Sequence, residues 1–142
     1  MTWETKRLGD VAKDGPIRSY RPSDLLTSAL QDMEANDYSQ VIVHSSSGLA
    51  LVTVEGVTRW LAQWADQGKV TLTGVELRDV LELEHEDNLL VMSTDQTVRE
   101  AVDAFNSAIS EGRPRLYAIV TTETGESTDS PVGIVTPEDL VE

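Results

Sequence analysis

The chain has 142 residues, 39% hydrophobic and 25% charged, with no cysteine and a formal net charge of −14. These totals suit one ordinary globular domain or two small units, and they exclude disulfides, thiol chemistry and cysteine-bound zinc. The charge is lopsided, −2 over residues 1–72 (7 basic, 9 acidic) and −12 over residues 73–142 (4 basic, 16 acidic), which argues against nucleic acid or an anionic membrane as the main partner.

The opening stretch, MTWETKRLGDVAKDG, has no apolar secretory core. No run approaches the roughly 20 apolar residues of a bilayer span, and the expected location is cytoplasmic. Residues 1–18 read as a short helix or ordered arm, broken at Gly15-Pro16 and pinned by Trp3. Pro22 and Ser23 then signal a helix start, followed by Leu25, Leu26, Ala29, Leu30 and Met33 at helical spacing. QVIVH (40–44) and LALVT (49–53) flank SSSG and predict a hairpin. Val57, Trp60, Leu61 and Trp64 predict a helix that ends at Gly68, with both tryptophans in core or interface roles. VELRDVLEL predicts a helix starting at Thr73 or Gly74, and the acidic run 82–87 reads as a solvated turn.

The order then begins again. NLLVM (88–92) is strand-like, and a helix capped by Ser93 or Thr94 presents Val98, Ala101, Val102, Phe105 and Ile109. RLYAIV (115–120) and PVGIV (131–135) predict strands around an exposed loop, residues 121–130. Ala29-Leu30 falls on Ala101-Val102 at an offset of 72, Val41-Ile42-Val43 on Ala118-Ile119-Val120 at 77, and Leu51-Val52-Thr53 on Ile134-Val135-Thr136 at 83. Each copy reads strand, helix, strand, strand, helix. A unit of about 60 residues buries only a modest core, so the expected architecture is α/β (α+β), with two pseudo-symmetric β-α-β-β-α units packed by their sheets and an N-terminal arm or helix. The expected divisions are residues 1–18, 19–72 and 73–142, the last including its leading helix.

The terminal GIVTPEDL places Thr136 three residues before Asp139. This spacing suits a helix cap. It also suits a ligand site, because a carboxylate accepts from paired hydroxyls and helix N-terminal N–H groups favour phosphate. His44 and His85 are solitary and predict no metal site. No P-loop or nucleophile elbow occurs, and no enzyme is expected.

GIVTPEDL resembles the last strand and helix of a cystathionine-β-synthase (CBS) domain, STDQTVREAVDAF its first helix and LYAIV its central strand. The resemblance covers residues 19–142 as a tandem pair, a Bateman module, with the second copy the better match. It implies a regulatory homodimer that binds an adenosine-containing ligand such as AMP, ADP, ATP or cyclic di-AMP in the cleft between motifs, with or without magnesium, and signals to a regulated protein. By that resemblance Asp139 accepts from ribose hydroxyls and Thr136 binds ribose or phosphate. Backbone groups at Val91, Met92 and Ser93 and at Leu116, Tyr117 and Ala118 hold adenine, with Ile134 packed on it. In the first copy Thr53 remains, but Gly56 stands at the position of Asp139. Adjacent Glu55 does not substitute, because one helical residue turns a side chain by about 100°. Arg59, Arg113 and Arg115 are candidate phosphate contacts. The alternative reading is a degenerate pair that acts as a nucleotide-independent dimerisation or scaffold module.

Overall fold

The computed structural model describes residues 3–12, 17–65, 67–68, 71–85, 87–112 and 116–140. Two compact units emerge from its contacts. The first is Arg18–Glu84; the second joins Met1–Ile17 to His85–Glu142.

In the first unit, β1 (Ser19–Tyr20) lies parallel to β2 (Gln40–Ser45), which forms an antiparallel hairpin with β3 (Gly48–Thr53). The second unit repeats this with β4 (Leu89–Ser93), β5 (Ala118–Thr122) and β6 (Gly133–Val135). One face of each sheet is covered by helices. Tyr20, Val41, Val43 and Val52 pack on α2 (Leu26–Asn36) and α3 (Val54–Ala65), through Leu26, Ala29, Met33, Val57 and Trp60. Met92, Ile119 and Val135 pack on α5 (Val98–Ser110) through Ala101 and Phe105. Helical spacing of the apolar residues places each set on a single stripe.

Strand pairing corrects one part of the sequence alignment. Val41 pairs with Val52, and Ile119 with Val135. Since Val52 matches Val135, Val41 matches Ile119, not Ala118. Side chains alternate across a strand, so a one-residue slip would put the wrong residues in the core.

The described part of the arm, residues 3–12, contributes to a core through Leu8. Helix α1 (Leu8–Val11) docks on the second unit: the Leu8 N–H donates to the Gln96 carbonyl (2.8 Å), the Val98 N–H donates to the Lys6 carbonyl (2.8 Å), and Leu8 is fully buried. Helix α4 (Leu77–Leu81) docks in the same way on the first unit. There the Leu77 N–H donates to the Asp24 carbonyl (2.9 Å) and the Leu26 N–H to the Val75 carbonyl (2.8 Å). Each unit is thus completed by a helix that precedes the other unit's sheet in sequence. The sequence division at 72/73 follows the repeat, whereas Leu77 and Val80 lie in the first unit's core. Trp3 ties the arm down, its indole N–H donating to the Leu140 carbonyl (3.2 Å).

Helix starts also differ from expectation. The cap of α5 is Thr97, not Ser93 or Thr94: its hydroxyl accepts from the Glu100 N–H (3.3 Å) while Glu100 accepts from the Thr97 N–H (3.4 Å). This is a reciprocal capping box. Helix α2 starts at Leu26, and α4 at Leu77 behind a second such box formed by Glu76 and Asp79. The last described segment is a 3-10 turn, Pro137–Leu140, where a helix start was expected. Thr121 and Thr122, expected in an exposed loop, are fully buried at the end of β5.

Candidate functional site

In the second unit the chain leaves β6 at Val135 and turns at once into Pro137–Leu140. The turn brings Asp139 back over Thr136. One carboxylate oxygen, Oδ2, accepts from the Thr136 backbone N–H (2.9 Å) and from its hydroxyl (3.1 Å), while the Asp139 N–H donates to the Thr136 carbonyl (3.0 Å). Both residues are half-exposed. Among the described residues no donor reaches Oδ1. Capping therefore uses one oxygen of Asp139 and leaves the other as an acceptor with no donor among the described residues. A carboxylate can accept several hydrogen bonds.

The residues expected around adenine divide between two faces of the β4-β5-β6 sheet. Val91 pairs with Val120, and Val120 with Ile134, so these three form one cross-strand row; Leu89 pairs with Ala118 beside it. Met92 points the other way, into the cluster around Leu8, Ala101 and Phe105. The Ser93 N–H donates to the Gln96 side chain (2.9 Å), its hydroxyl donates to the Glu123 carbonyl (3.3 Å), and the Tyr117 N–H donates to the Asn88 carbonyl (2.8 Å). Leu116 lies on the helix side, where it lines a groove of about 360 Å³ with Val102, Phe105, Ile109, Pro137 and Leu140. Arg113 and Arg115 fall outside the described residues.

The first unit holds a carboxylate that sequence reasoning placed nowhere near it. Glu84 folds back onto Thr53, and its Oε1 accepts from the Thr53 backbone N–H (2.7 Å) and hydroxyl (3.0 Å); Oε2 also lies 3.0 Å from the hydroxyl. The same two groups of threonine thus meet one carboxylate oxygen in both units. In one unit the acid is three residues on; in the other it is 31 residues away. Gly56 makes room. A Cβ there would stand 1.7 Å from Glu84 Oε1. The Gly56 N–H donates to the Thr53 hydroxyl (3.0 Å). Thr53 is 2% exposed, in contrast with half-exposed Thr136.

Arg59, expected as a phosphate contact, is engaged inside this unit. Its guanidinium donates to the Leu83 carbonyl (3.0 Å) and pairs with Glu55. It thereby holds the residue next to Glu84. The acidic run was expected to be a solvated turn, and Glu84 departs from that. The one sequence signal was indirect: a glycine in a helix's first turn, where the repeat calls for an acid, leaves a space that another group must fill. Of the two tryptophans in α3, Trp60 is 6% exposed and in the core, and Trp64 is 41% exposed with its ring centroid 6.1 Å from that of Trp60. No cluster of three or more His, Asp or Glu side chains suited to a metal forms among the described residues.

Residues 77–142 match the model of the CBS domain. Solved structures share the fold over nearly the whole chain. A CBS domain-containing protein of unknown function from Kribbella flavida superposes with a TM-score of 0.67 at 17% identity, covering 94% of each chain. A putative acetoin utilization protein from Vibrio cholerae gives 0.66 at 16% identity, covering 94% of this chain and 85% of that one. CBSX2, solved in complex with AMP, gives 0.63 at 13% identity, covering 95% and 92%. No curated protein matches the chain. Residues 77–142 are thus similar to the CBS domain, and the chain shares the fold of CBS-domain proteins over nearly its whole length.

Proposed function

We propose that this CBS-domain chain is a small regulatory module that takes an adenine nucleotide at its second unit and reports occupancy to a partner protein. The observation that carries this is the open carboxylate of Asp139, held in place by Thr136 with Oδ1 left as an acceptor. Ribose hydroxyls are donors of the right kind for that oxygen, and a charge-assisted hydrogen bond is stronger than a neutral one. In the row Val91–Val120–Ile134 the two outer residues stay partly exposed and supply apolar surface for a purine plane, while Val120 is buried between them. A relative of the same fold is described in complex with AMP, which supports the choice of ligand. Signalling would follow from population shift: a ligand that prefers one conformation enriches it. The module would act as a homodimer, as a sensor without catalysis, and with no resident cofactor.

The test is a titration with AMP, ADP, ATP and cyclic di-AMP, each with and without magnesium, followed by calorimetry. One of them binds, and Asp139→Ala weakens it by about 1.5–3 kcal/mol, roughly tenfold to over a hundredfold. Binding unchanged in Asp139→Ala would place the site elsewhere. A second reading, a dimerisation or scaffold module indifferent to nucleotide, is favoured by the self-satisfied Thr53–Glu84 contact of the first unit. It predicts no binding to any of the four and a dimer in sedimentation.

A further inference from the structure

We infer that Glu84 is the first unit's built-in occupant, an internal carboxylate that closes the start of α3 so that nucleotide is not taken there. The limit on nucleotide rests on the function proposed above; the closure itself does not. Three features distinguish this contact from its counterpart at Asp139. Both Glu84 oxygens lie within 3.0 Å of the Thr53 hydroxyl, whereas Thr136 meets only one oxygen of its partner. Thr53 and Gly56 are buried, whereas Thr136 and Asp139 are half-exposed. Glu84 also arrives from outside the repeat motif, across the helix start, into space that the absent Gly56 side chain vacates. A ligand hydroxyl or phosphate seeking the Thr53 N–H must displace a carboxylate of this same chain, present at high effective concentration.

The contact is also a latch. Glu84 closes the first unit, and the next residue, His85, opens the second. Arg59 anchors the Leu83 carbonyl beside it. The link between units is therefore tied at its first-unit end by two side-chain contacts within the first unit. The quartet Thr53-Val54-Glu55-Gly56 differs from Thr136-Pro137-Glu138-Asp139 at the second and fourth positions. One substitution, Gly56→Asp, restores the fourth.

That near-identity makes the closure testable with two substitutions. Gly56→Asp alone forces a side chain into Glu84 and sets two carboxylates together, and it lowers the thermal midpoint by several degrees. Adding Glu84→Ala raises the midpoint again, so the double variant is more stable than Gly56→Asp. Additive losses would overturn the closure. An independent readout needs no variant: the Thr53 amide exchanges with deuterium slowly in the wild-type chain, and exchange at the unprotected rate would overturn it too. Equilibrium dialysis with AMP then tests the ligand limit. Wild-type protein saturates at one AMP per chain and the double variant at two; two per wild-type chain would overturn the inference. If AMP binds neither protein, the dialysis is repeated with ADP, ATP and cyclic di-AMP; binding by none of the four fails the proposed function and with it the limit on nucleotide, while the stability comparison still decides the closure.

Discussion

Gly133 and Ala12 lie in direct opposition. A Cβ on Gly133 would stand 2.8 Å from the Ala12 Cβ and 2.6 Å from the Thr121 hydroxyl oxygen. The N-terminal segment therefore reaches β6 only because position 133 has no side chain. Gly133→Ala should push α1 and its flank off the sheet. Overpacking a close contact costs about 1–3 kcal/mol, and chemical denaturation should show that loss as a lower midpoint. A wild-type midpoint would mean the arm does not dock as described.

Leu8 gives the complementary test. It is fully buried in a cluster with Met92, Phe105 and Val135, although more than 80 positions separate it from the nearest of them along the chain. Leu8→Ala should cost about 2–5 kcal/mol, the range for a buried leucine that leaves a cavity. An arm merely lying on the surface would lose less than about 0.5 kcal/mol on substitution. Urea denaturation separates the two.

Thr121 runs against the usual direction of substitution. Its hydroxyl is fully buried and is the one buried side-chain polar atom without a hydrogen bond among the described residues. Thr121→Val replaces that hydroxyl with a methyl group of similar size. Leaving a polar group unpaired costs about 1–3 kcal/mol, so the variant should melt at or above the wild-type midpoint. A large loss of stability would show that the hydroxyl is satisfied.

Thr97 is a simple cap with a reciprocal partner. Thr97→Ala removes the acceptor for the Glu100 N–H and should destabilise the chain by about 1 kcal/mol. Glu100→Ala removes the other half of the box and should have a smaller effect, because alanine's higher helix propensity offsets part of the loss. The two thermal midpoints, measured side by side, check the ranking.

Much of the fold was legible because it is local. The hairpin 40–53 announces itself by β-branched runs around SSSG, and the observed strands, Gln40–Ser45 and Gly48–Thr53, differ from the expected ones by a residue at each turn end. The α5 stripe was read from spacing alone: Val98, Ala101 and Phe105 are buried and Val102 half-buried, whereas Ile109 near the helix end is 67% exposed. Caps were harder. Several Ser and Thr residues precede α5, and the choice of Thr97 depends on Glu100 reaching back, which neighbouring residues contest.

The candidate site divides in the same way. Thr136 and Asp139 are three residues apart, and their contact follows from a single turn of chain. Thr53 and Glu84 are 31 residues apart, and no periodicity links them. The vacancy at Gly56 was visible; its filling was not.

By itself the sequence determined the doubled β-α-β-β-α order, the apolar stripes and the Thr136–Asp139 pairing, because each depends on residues within one or two turns of one another. Only the tertiary structure decided which helix completes which unit, the register of the central strands, and the origin of the acid at Thr53. Those outcomes rest on space and on distant donors meeting their acceptors: a missing Cβ at Gly133 admits Ala12, and a missing Cβ at Gly56 admits Glu84. A glycine in a sequence marks room for a neighbour, and folding of the rest of the chain selects which neighbour fills it.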